Sequence, residues 1–276
     1  MRILVMGGTV FLGRHVVTEA LTRGHEVTLF NRGQSSPELF AGDVRVLKGD
    51  RNESLDALSD QSFDVCIDPS AYLPGQVSRL LEVIQDQIEH YVFISSISAY
   101  ADFFAGMDET APLAQLPDGT DDTTVTNETY GALKALSEQA AESCMPGRVL
   151  HVRSGLIVGP YDPTNRFTYW PARVAQGGRM LAPVGPAFPV QFIDARDQAS
   201  WILDMAEQRN AGVFNVTSAP GQFSLGDVLT ASLSQTQQEA EIVWADEAFL
   251  LQHKVAPWMG LPLWLPADAL DMSRVR

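Results

Sequence analysis

The sequence predicts an α/β fold, a doubly wound parallel sheet followed by a smaller C-terminal lobe. Three observations carry this expectation. Short apolar runs alternate with stretches of helical period through the first half of the chain. Those runs are apolar throughout rather than alternating, so each strand is covered on both faces, as in a parallel sheet. The first run, "RILVMG", enters glycines and opens directly into a helix.

The elements follow in order. "RILVMG" is the first strand, and "FLGRHVVTEALTRG" is a helix ended by Gly24. "HEVTLF" and "VRVLKG" are the second and third strands, "SLDALSD" a short helix and "FDVCID" the fourth strand. Pro74 opens the helix "PGQVSRLLEVIQDQ", which leads to the fifth strand, "HYVFISS". A polar, acidic stretch from about Asp102 to Thr126 reads as a long loop. The helix "NETYGALKALSEQAAESC", with Asn127 as its expected cap, then precedes the sixth strand, "GRVLHVRSG". Beyond Gly159, Pro and Gly become frequent. The strands "VQFI", "GVFNVT" and "AEIVWA" interleave there with the helices "ARDQASWILDMAEQ" and "SLGDVLTASLSQ". The expected division is residues 1–160 as the doubly wound unit, open to added strands from later segments, and residues 161–276 as the smaller lobe.

Composition narrows the function classes. Of 276 residues, 45% are hydrophobic and 19% charged, as in ordinary globular proteins. Asp and Glu number 34 against 19 Lys and Arg, a net charge of −15. That balance argues against nucleic-acid partners and anionic membrane surfaces, and leaves a small-molecule substrate as the expected partner. Cys66 and Cys144 form no disulfide framework, and the five histidines (His15, His25, His90, His151, His253) show no ligand spacing, so no metal site is expected. The N-terminal apolar run is too short for a signal peptide, and no stretch reaches membrane-spanning length. A soluble cytoplasmic protein is the expectation, with homodimerisation left open.

The glycine turn carries the first chemistry. Gly7, Gly8 and Gly13 frame Thr9, Val10, Phe11 and Leu12 between strand and helix. In a Rossmann-like unit such a turn lets the pyrophosphate of a dinucleotide meet the free N–H groups at the helix N-terminus. Val10 stands where a middle glycine is usual, and a purely structural turn is the alternative. Asn31 and Arg32 follow the second strand, where an acidic residue would bind the ribose of NAD; an arginine there suits the 2′-phosphate of NADP. NADP is therefore expected, with NAD as the alternative. Asp50, next to Arg51 at the end of the third strand, is positioned for the adenine amino group. Asp68, Pro69 and Ser70 end the fourth strand, near the expected nicotinamide ribose.

Tyr130 and Lys134, four residues apart, share a helix face. A nearby ammonium stabilises a phenolate, which makes such a tyrosine a usable acid–base. The hydroxyl-bearing strand end "FISSIS" offers a group to hold a substrate oxygen beside the expected cofactor, with Ser98 as a further candidate contact.

These stretches together resemble the extended short-chain dehydrogenase/reductases, of the NAD-dependent epimerase/dehydratase kind. "GGTVFLG" is similar to that family's glycine turn, "SSISAY" to its serine strand end, "YGALK" to its Tyr–Lys pair, and "VRSGLIVGP" to its R-x-x-N-x-x-G-P strand end. The resemblance implies Tyr130 as acid–base, Ser96 as substrate-oxygen anchor, and Lys134 as cofactor ligand and pKa-setter. It implies a substrate region after Gly159-Pro160, with Arg166, Tyr169 and Trp170 as candidates. The departures matter too. Ile97 and Ser98 stand where family dehydratases carry Asp-Glu. Leu156 and Val190 replace polar residues that hold nucleotide sugars, and Arg166, Arg173 or Arg274 are the available substitutes. Val10 and the Asn31-Arg32 pair resemble a less-characterised branch with reductase-like members and chloroplast stem-loop RNA-binding relatives. The family's chains commonly continue with another helix, so a shortened C-terminus is expected. In "APWMGLPLWLPADALDMSRVR", Trp258 and Trp264 fit a packed Pro-rich loop, with a lid as the alternative.

The expected activity is hydride transfer at a carbonyl or carbinol carbon, by a reductase or an epimerase. A nucleotide-sugar epimerase is the runner-up enzyme. A non-catalytic NADP sensor or an RNA-binding relative is the alternative of another class.

Overall fold

The protein's structure, a computed structural model, describes residues 1–104, 106–258 and 260–265. The chain forms two compact units. Residues 1–102, 108–157 and 194–216 make the first; the second takes residues 158–193, a short piece between Phe103 and Met107, and the described chain from Thr217 onwards. Where the sequence suggests one boundary near residue 160, the chain thus leaves and rejoins the first unit.

The first unit is built on seven strands: β1 (Arg2–Met6), β2 (Glu26–Asn31), β3 (Arg45–Lys48), β4 (Val65–Asp68), β5 (His90–Ser96), β6 (Val149–Ser154) and β7 (Gly212–Val216). Their order is β3-β2-β1-β4-β5-β6-β7, and every neighbouring pair is parallel. This is the Rossmann-like doubly wound sheet, with its strand order reversing between β1 and β4. The "GVFNVT" run supplies β7, pairing Gly212 with Leu150 through Val216 with Ser154. Four helices cover the sheet: α1 (Phe11–Thr22), α2 (Pro74–Ile84), α3 (Tyr130–Cys144) and α4 (Ala195–Glu207). α1 packs on α4, and α2 on α3. Strands β4, β5 and β6 are buried at every residue, the state their continuous apolar runs require, while the edge strand β3 is largely exposed. Leu4 and Met6 of β1 join Val77, Leu80 and Leu81 of α2 and Ala141 of α3 in one core cluster.

Local chemistry explains the ends. Gly24 follows α1 with φ +76°, the left-handed turn expected after a helix. Pro74 is the first residue of α2, and the Gln76 side chain accepts from the Tyr72 and Leu73 amides. Two expectations need correction. "SLDALSD" forms a single 3-10 turn, Asp56–Leu58, too short to propagate as a helix. Asn127 does not cap α3, which starts three residues later at Tyr130. Thr126 and Thr129 use their hydroxyls on each other's backbone and on the Thr124 carbonyl, folding the polar stretch into a local turn that outcompetes an earlier helix start.

In the second unit the strands Gly178–Pro183 and Ala240–Ala245 pair in parallel, and Pro189–Val190 pairs antiparallel with Phe223–Ser224. The "VQFI" run is not one strand, because Gln191 and Phe192 are held by the Ser218 carbonyl and hydroxyl instead. The helix Leu225–Ser234 is opened by reciprocal bonds between Ser224 and Asp227. Trp170 and Trp264 are fully buried here, and the Trp170 indole donates to the Pro262 carbonyl at 3.0 Å. Among the described residues no helix is long and apolar enough to cross a membrane.

Candidate active site

The site is assembled at the carboxyl ends of β1 to β5. Gly7 and Gly8 turn out of β1 with φ +95° and +89°, a region open to glycine at no steric cost. Gly8 also sits so tightly that a Cβ would lie 2.7 Å from Leu29. On Gly13 a Cβ would stand 3.1 Å from the Gly8 Cα and 3.4 Å from Pro69, so both glycines and Pro69 are needed for close packing of turn and helix. Val10 is the N-cap of α1 and provides no side-chain acceptor, as a valine must. The first-turn amides at Phe11, Leu12 and Gly13 therefore have no capping side chain, and they and the positive end of the helix form an anion-receptive cradle. Thr9 and the half-exposed Val10 form its rim. The turn fits a pyrophosphate without a middle glycine.

Asn31 bridges two turns. Its amide donates to the Gly7 carbonyl at 3.0 Å and its oxygen accepts from the Gly33 amide at 2.9 Å. It ties the phosphate turn to the turn after β2 and so acts through its neighbours. Arg32, 60% exposed at its side chain, reaches outward, with one loose ion pair to Asp50 at 3.8 Å. Asp50 also accepts from the Asn52 amide.

Asp68 and Arg51 depart from expectation. The carboxylate takes a bidentate pair from Arg51 (2.8 and 2.8 Å), the Tyr91 hydroxyl (2.9 Å), and both the amide and hydroxyl of Ser70 (3.0 and 3.2 Å). Every acceptor direction is engaged, and the side chain is fully buried. Burial alone would raise its pKa; the Arg51 guanidinium outweighs this and holds it below the ordinary value. Asp68 and Arg51 thus form an internal strut beneath the strand ends, not a free carboxylate and a free cation for a ligand. Ser70 belongs to the same strut, since Arg51 donates to its hydroxyl at 2.9 Å.

Tyr130 and Lys134 lie one turn apart on α3, which packs on β5 and on the short turn that follows Ser96. Ser96 is the last residue of β5, and its Oγ accepts from the Ser98 amide at 3.1 Å, opening the short turn Ile97–Ala99. The first turn of α3 packs directly on that turn: a Cβ on Gly131 would collide with the Ser98 carbonyl oxygen. Glycine between Tyr130 and Ala132 is what lets the tyrosine's helix approach the serine's strand. One turn on, Lys134 is buried, with Nζ donating to the Ala71 and Ile94 carbonyls at 2.7 and 2.8 Å. The rings of Phe93, Tyr72 and Tyr130 lie 4.9, 5.0 and 6.0 Å from that nitrogen. Burial lowers the Lys134 pKa to about 8, against the opposing pull of Asp68.

A second buried pair supports this arrangement. Glu138, one turn beyond Lys134, pairs bidentately with Arg153 of β6 (3.0 and 2.7 Å) and accepts from Ser95 at 2.5 Å. The Arg153 guanidinium lies 4.6 Å from the Tyr100 ring, and Tyr100 donates to Asn215 of β7. The pair is buried and locks α3 against β5 and β6. Its faint signal is the spacing of Glu138 four residues after Lys134, together with an arginine inside an apolar strand.

The candidates Arg166, Tyr169 and Trp170 lie in the second unit. Arg166 bonds Thr164 at 2.9 Å. Tyr169 is partly exposed and stacks edge-on against Trp170, while Trp170 is core: its ring is fully buried, so it presents no surface to a substrate. Arg173 donates to the Gly177 and Arg179 carbonyls. Leu156 and Val190 are buried apolar residues of their own units. Arg274 lies outside the described residues. Among the described residues no three His, Cys, Asp or Glu side chains are grouped to hold a metal ion.

The seven-stranded parallel sheet and its glycine turn define a Rossmann-like α/β protein. The model of the NAD dependent epimerase/dehydratase family matches residues 3–217, and the chain belongs to that family. Among solved structures, the chain is similar to UDP-glucuronic acid 4-epimerase from Bacillus cereus in complex with NAD. The TM-score is 0.68 at 15% identity, over 99% of this chain and 93% of that one. It is likewise similar to MoeE5 in complex with UDP-glucose and NAD, with TM-score 0.67 and 20% identity over 89% of this chain and 85% of that one. The likeness to both is one of fold. A curated relative, chloroplast stem-loop binding protein of 41 kDa b from Arabidopsis thaliana, is 33% identical over 114 residues, 36% of this chain. The match spans 30% of that protein's length.

Proposed function

We propose that the chain is an NAD(P)-dependent oxidoreductase or epimerase that works on a carbonyl or carbinol carbon, with Tyr130 as acid–base and Ser96 as anchor of the substrate oxygen. The observation that carries this reading is the collision-tight seat of Gly131 on the Ser98 carbonyl, which brings the Tyr130 helix to the Ser96 strand end above a buried Lys134. Membership of an NAD dependent family supports the cofactor class, as do the NAD complexes of the similar structures. The glycine turn at Gly7 to Gly13 would hold the pyrophosphate. When bound, the dinucleotide supplies the hydride acceptor or donor. Tyr130 takes the proton of a hydroxyl during oxidation and returns one to a carbonyl oxygen during reduction. Ser96 accepts from the Ser98 amide and retains its own O–H to donate to that oxygen. Lys134, held by two carbonyls, aims a cation at charge developing on the tyrosine.

Tyr130→Phe should abolish turnover while cofactor affinity, read by fluorescence titration of the reduced dinucleotide, persists. A Tyr130→Phe enzyme that still turns over an accepted substrate would remove the acid–base assignment. Stoichiometric consumption of reduced cofactor identifies a reductase, and its conservation across turnover an epimerase.

A nucleotide-sugar epimerase is the second reading, favoured by the UDP-glucose bound to MoeE5. Against it stand Leu156 and Val190, buried apolar side chains where phosphate-holding polar groups are needed. A pyrophosphate buried without donors is left with a desolvation cost of several kcal/mol. Calorimetric titration of the cofactor-loaded protein should give weak or no heat with UDP-, dTDP- and GDP-sugars. Micromolar affinity for any of them would shift the assignment to the epimerase.

A further inference from the structure

We propose that Tyr72 is a positioning residue whose ring, with that of Phe93, holds the Lys134 ammonium charged and next to Tyr130. The inference rests on the reading of Tyr130 and Lys134 as a working pair, and names a residue outside that pair on which it depends. Nζ of Lys134 lies over both rings, 5.0 Å from the Tyr72 centroid and 4.9 Å from that of Phe93. At such distances the negative face of an aromatic ring attracts a cation. Phe93 is buried within β5, whereas Tyr72 is 47% exposed, so Tyr72 is the solvent-side wall of the two. Its backbone is held firmly. The neighbouring Ala71 carbonyl accepts from Nζ itself, and the Tyr72 amide donates to Gln76 Oε1 at 2.9 Å, in the first turn of α2. The same ring lies 6.2 Å from the Tyr130 ring.

The ammonium has need of such faces. Among the described residues it bonds two carbonyls and no carboxylate. The charges that act on it largely cancel. Asp68 at the end of β4 attracts it, but Asp68 is engaged by Arg51, which repels it from the turn after β3. Glu138, one turn further along α3, attracts it and is itself paired with Arg153 of β6. Two π-faces favour the charged form without a further ion, against the burial that disfavours it. A lysine that lost its proton would give a phenolate at Tyr130 no electrostatic help.

The lysines of the chain are Lys48, Lys134 and Lys254, so NMR of the full chain, isotope-labelled at lysine Cε, follows each titration separately. Lys48 and Lys254 are exposed, and Lys48→Arg and Lys254→Arg identify the Lys134 signal by elimination. Tyr72→Leu keeps an apolar cover over the ammonium and removes the π-face. It should lower the Lys134 midpoint by about one pH unit. Tyr72→Met, a second apolar cover, should act alike, while Tyr72→Phe should titrate as the native chain does. A midpoint that stays or rises in the Leu and Met variants shows a mere barrier to water and overturns the proposal. So does a Tyr72→Phe shift as large as that of Tyr72→Leu, which would place the effect in the hydroxyl. The titration needs no substrate, so it is decided apart from the acid–base reading, which Tyr130→Phe turnover tests.

Discussion

Lys134 concentrates the conflict between stability and function in one side chain. Its ammonium is buried, and its pKa is lowered from 10.5 to about 8 chiefly by that burial. The unfolded chain therefore binds a proton more readily than the folded one between about pH 8 and 10.5. Across that window stability rises with pH, and below it the full cost is present, on the order of 3 kcal/mol. Lys134→Met removes the charge and keeps the length. It should unfold at higher temperature than the native chain at pH 7, with the difference shrinking as pH climbs past 8, while cofactor binding weakens. A variant less stable than the native chain at pH 7 would show that the bonds to Ala71 and Ile94 outweigh the desolvation. Residue identity singled out Tyr130, Lys134 and Ser96 as candidates, because their chemistry and spacing are carried within short stretches. It could not reveal that Asp68 is saturated, since its partners Arg51, in the turn after β3, and Tyr91, in β5, meet it only in the fold.

At the scale of elements, the junction between α3 and the Ile97–Ala99 turn governs the site. Replacing a helical glycine by alanine ordinarily stabilises by about 1 kcal/mol. At Gly131 the new methyl would meet the Ser98 carbonyl, a backbone atom that cannot rotate aside. Overpacking of this kind costs about 1–3 kcal/mol, and relief requires α3 to retreat. Gly131→Ala should therefore lower the melting temperature and reduce turnover more than cofactor affinity, because retreat separates Tyr130 from Ser96 and leaves the glycine turn intact. An alanine variant of native stability and rate would mean that the contact relaxes freely. While β3 is a short, largely exposed edge, strands β1, β2, β4, β5 and β6 were readable from their largely apolar character, as buried parallel strands must be. The strand Gly178–Pro183 was not, because its polar start and terminal proline carry neither period. Nor could apolar pattern tell that Gly212–Val216 returns to the main sheet, which depends on a partner, β6, far away in sequence.

At the scale of the whole molecule, charge weighs against RNA as a partner. The net charge is −15, and seven of the 19 Lys and Arg side chains are committed to carboxylates. Arg2, Arg23, Arg51, Arg153, Arg179, Arg196 and Arg209 each pair with a carboxylate. Exposed Asp118, Asp121, Asp122 and Glu128 lead into Tyr130, and no Lys, Arg or His interrupts the chain between Ala101 and Tyr130. Binding to RNA draws its affinity from cations that release counterions from phosphates, so a protein without a basic face lacks the driving term. The chain should leave the fluorescence anisotropy of a labelled RNA stem-loop unchanged up to about 100 μM protein at physiological salt, at or beyond the weak end of non-specific association. Saturable binding at low micromolar protein, weakening steeply as salt is raised, would reveal a basic surface that these ion pairs conceal.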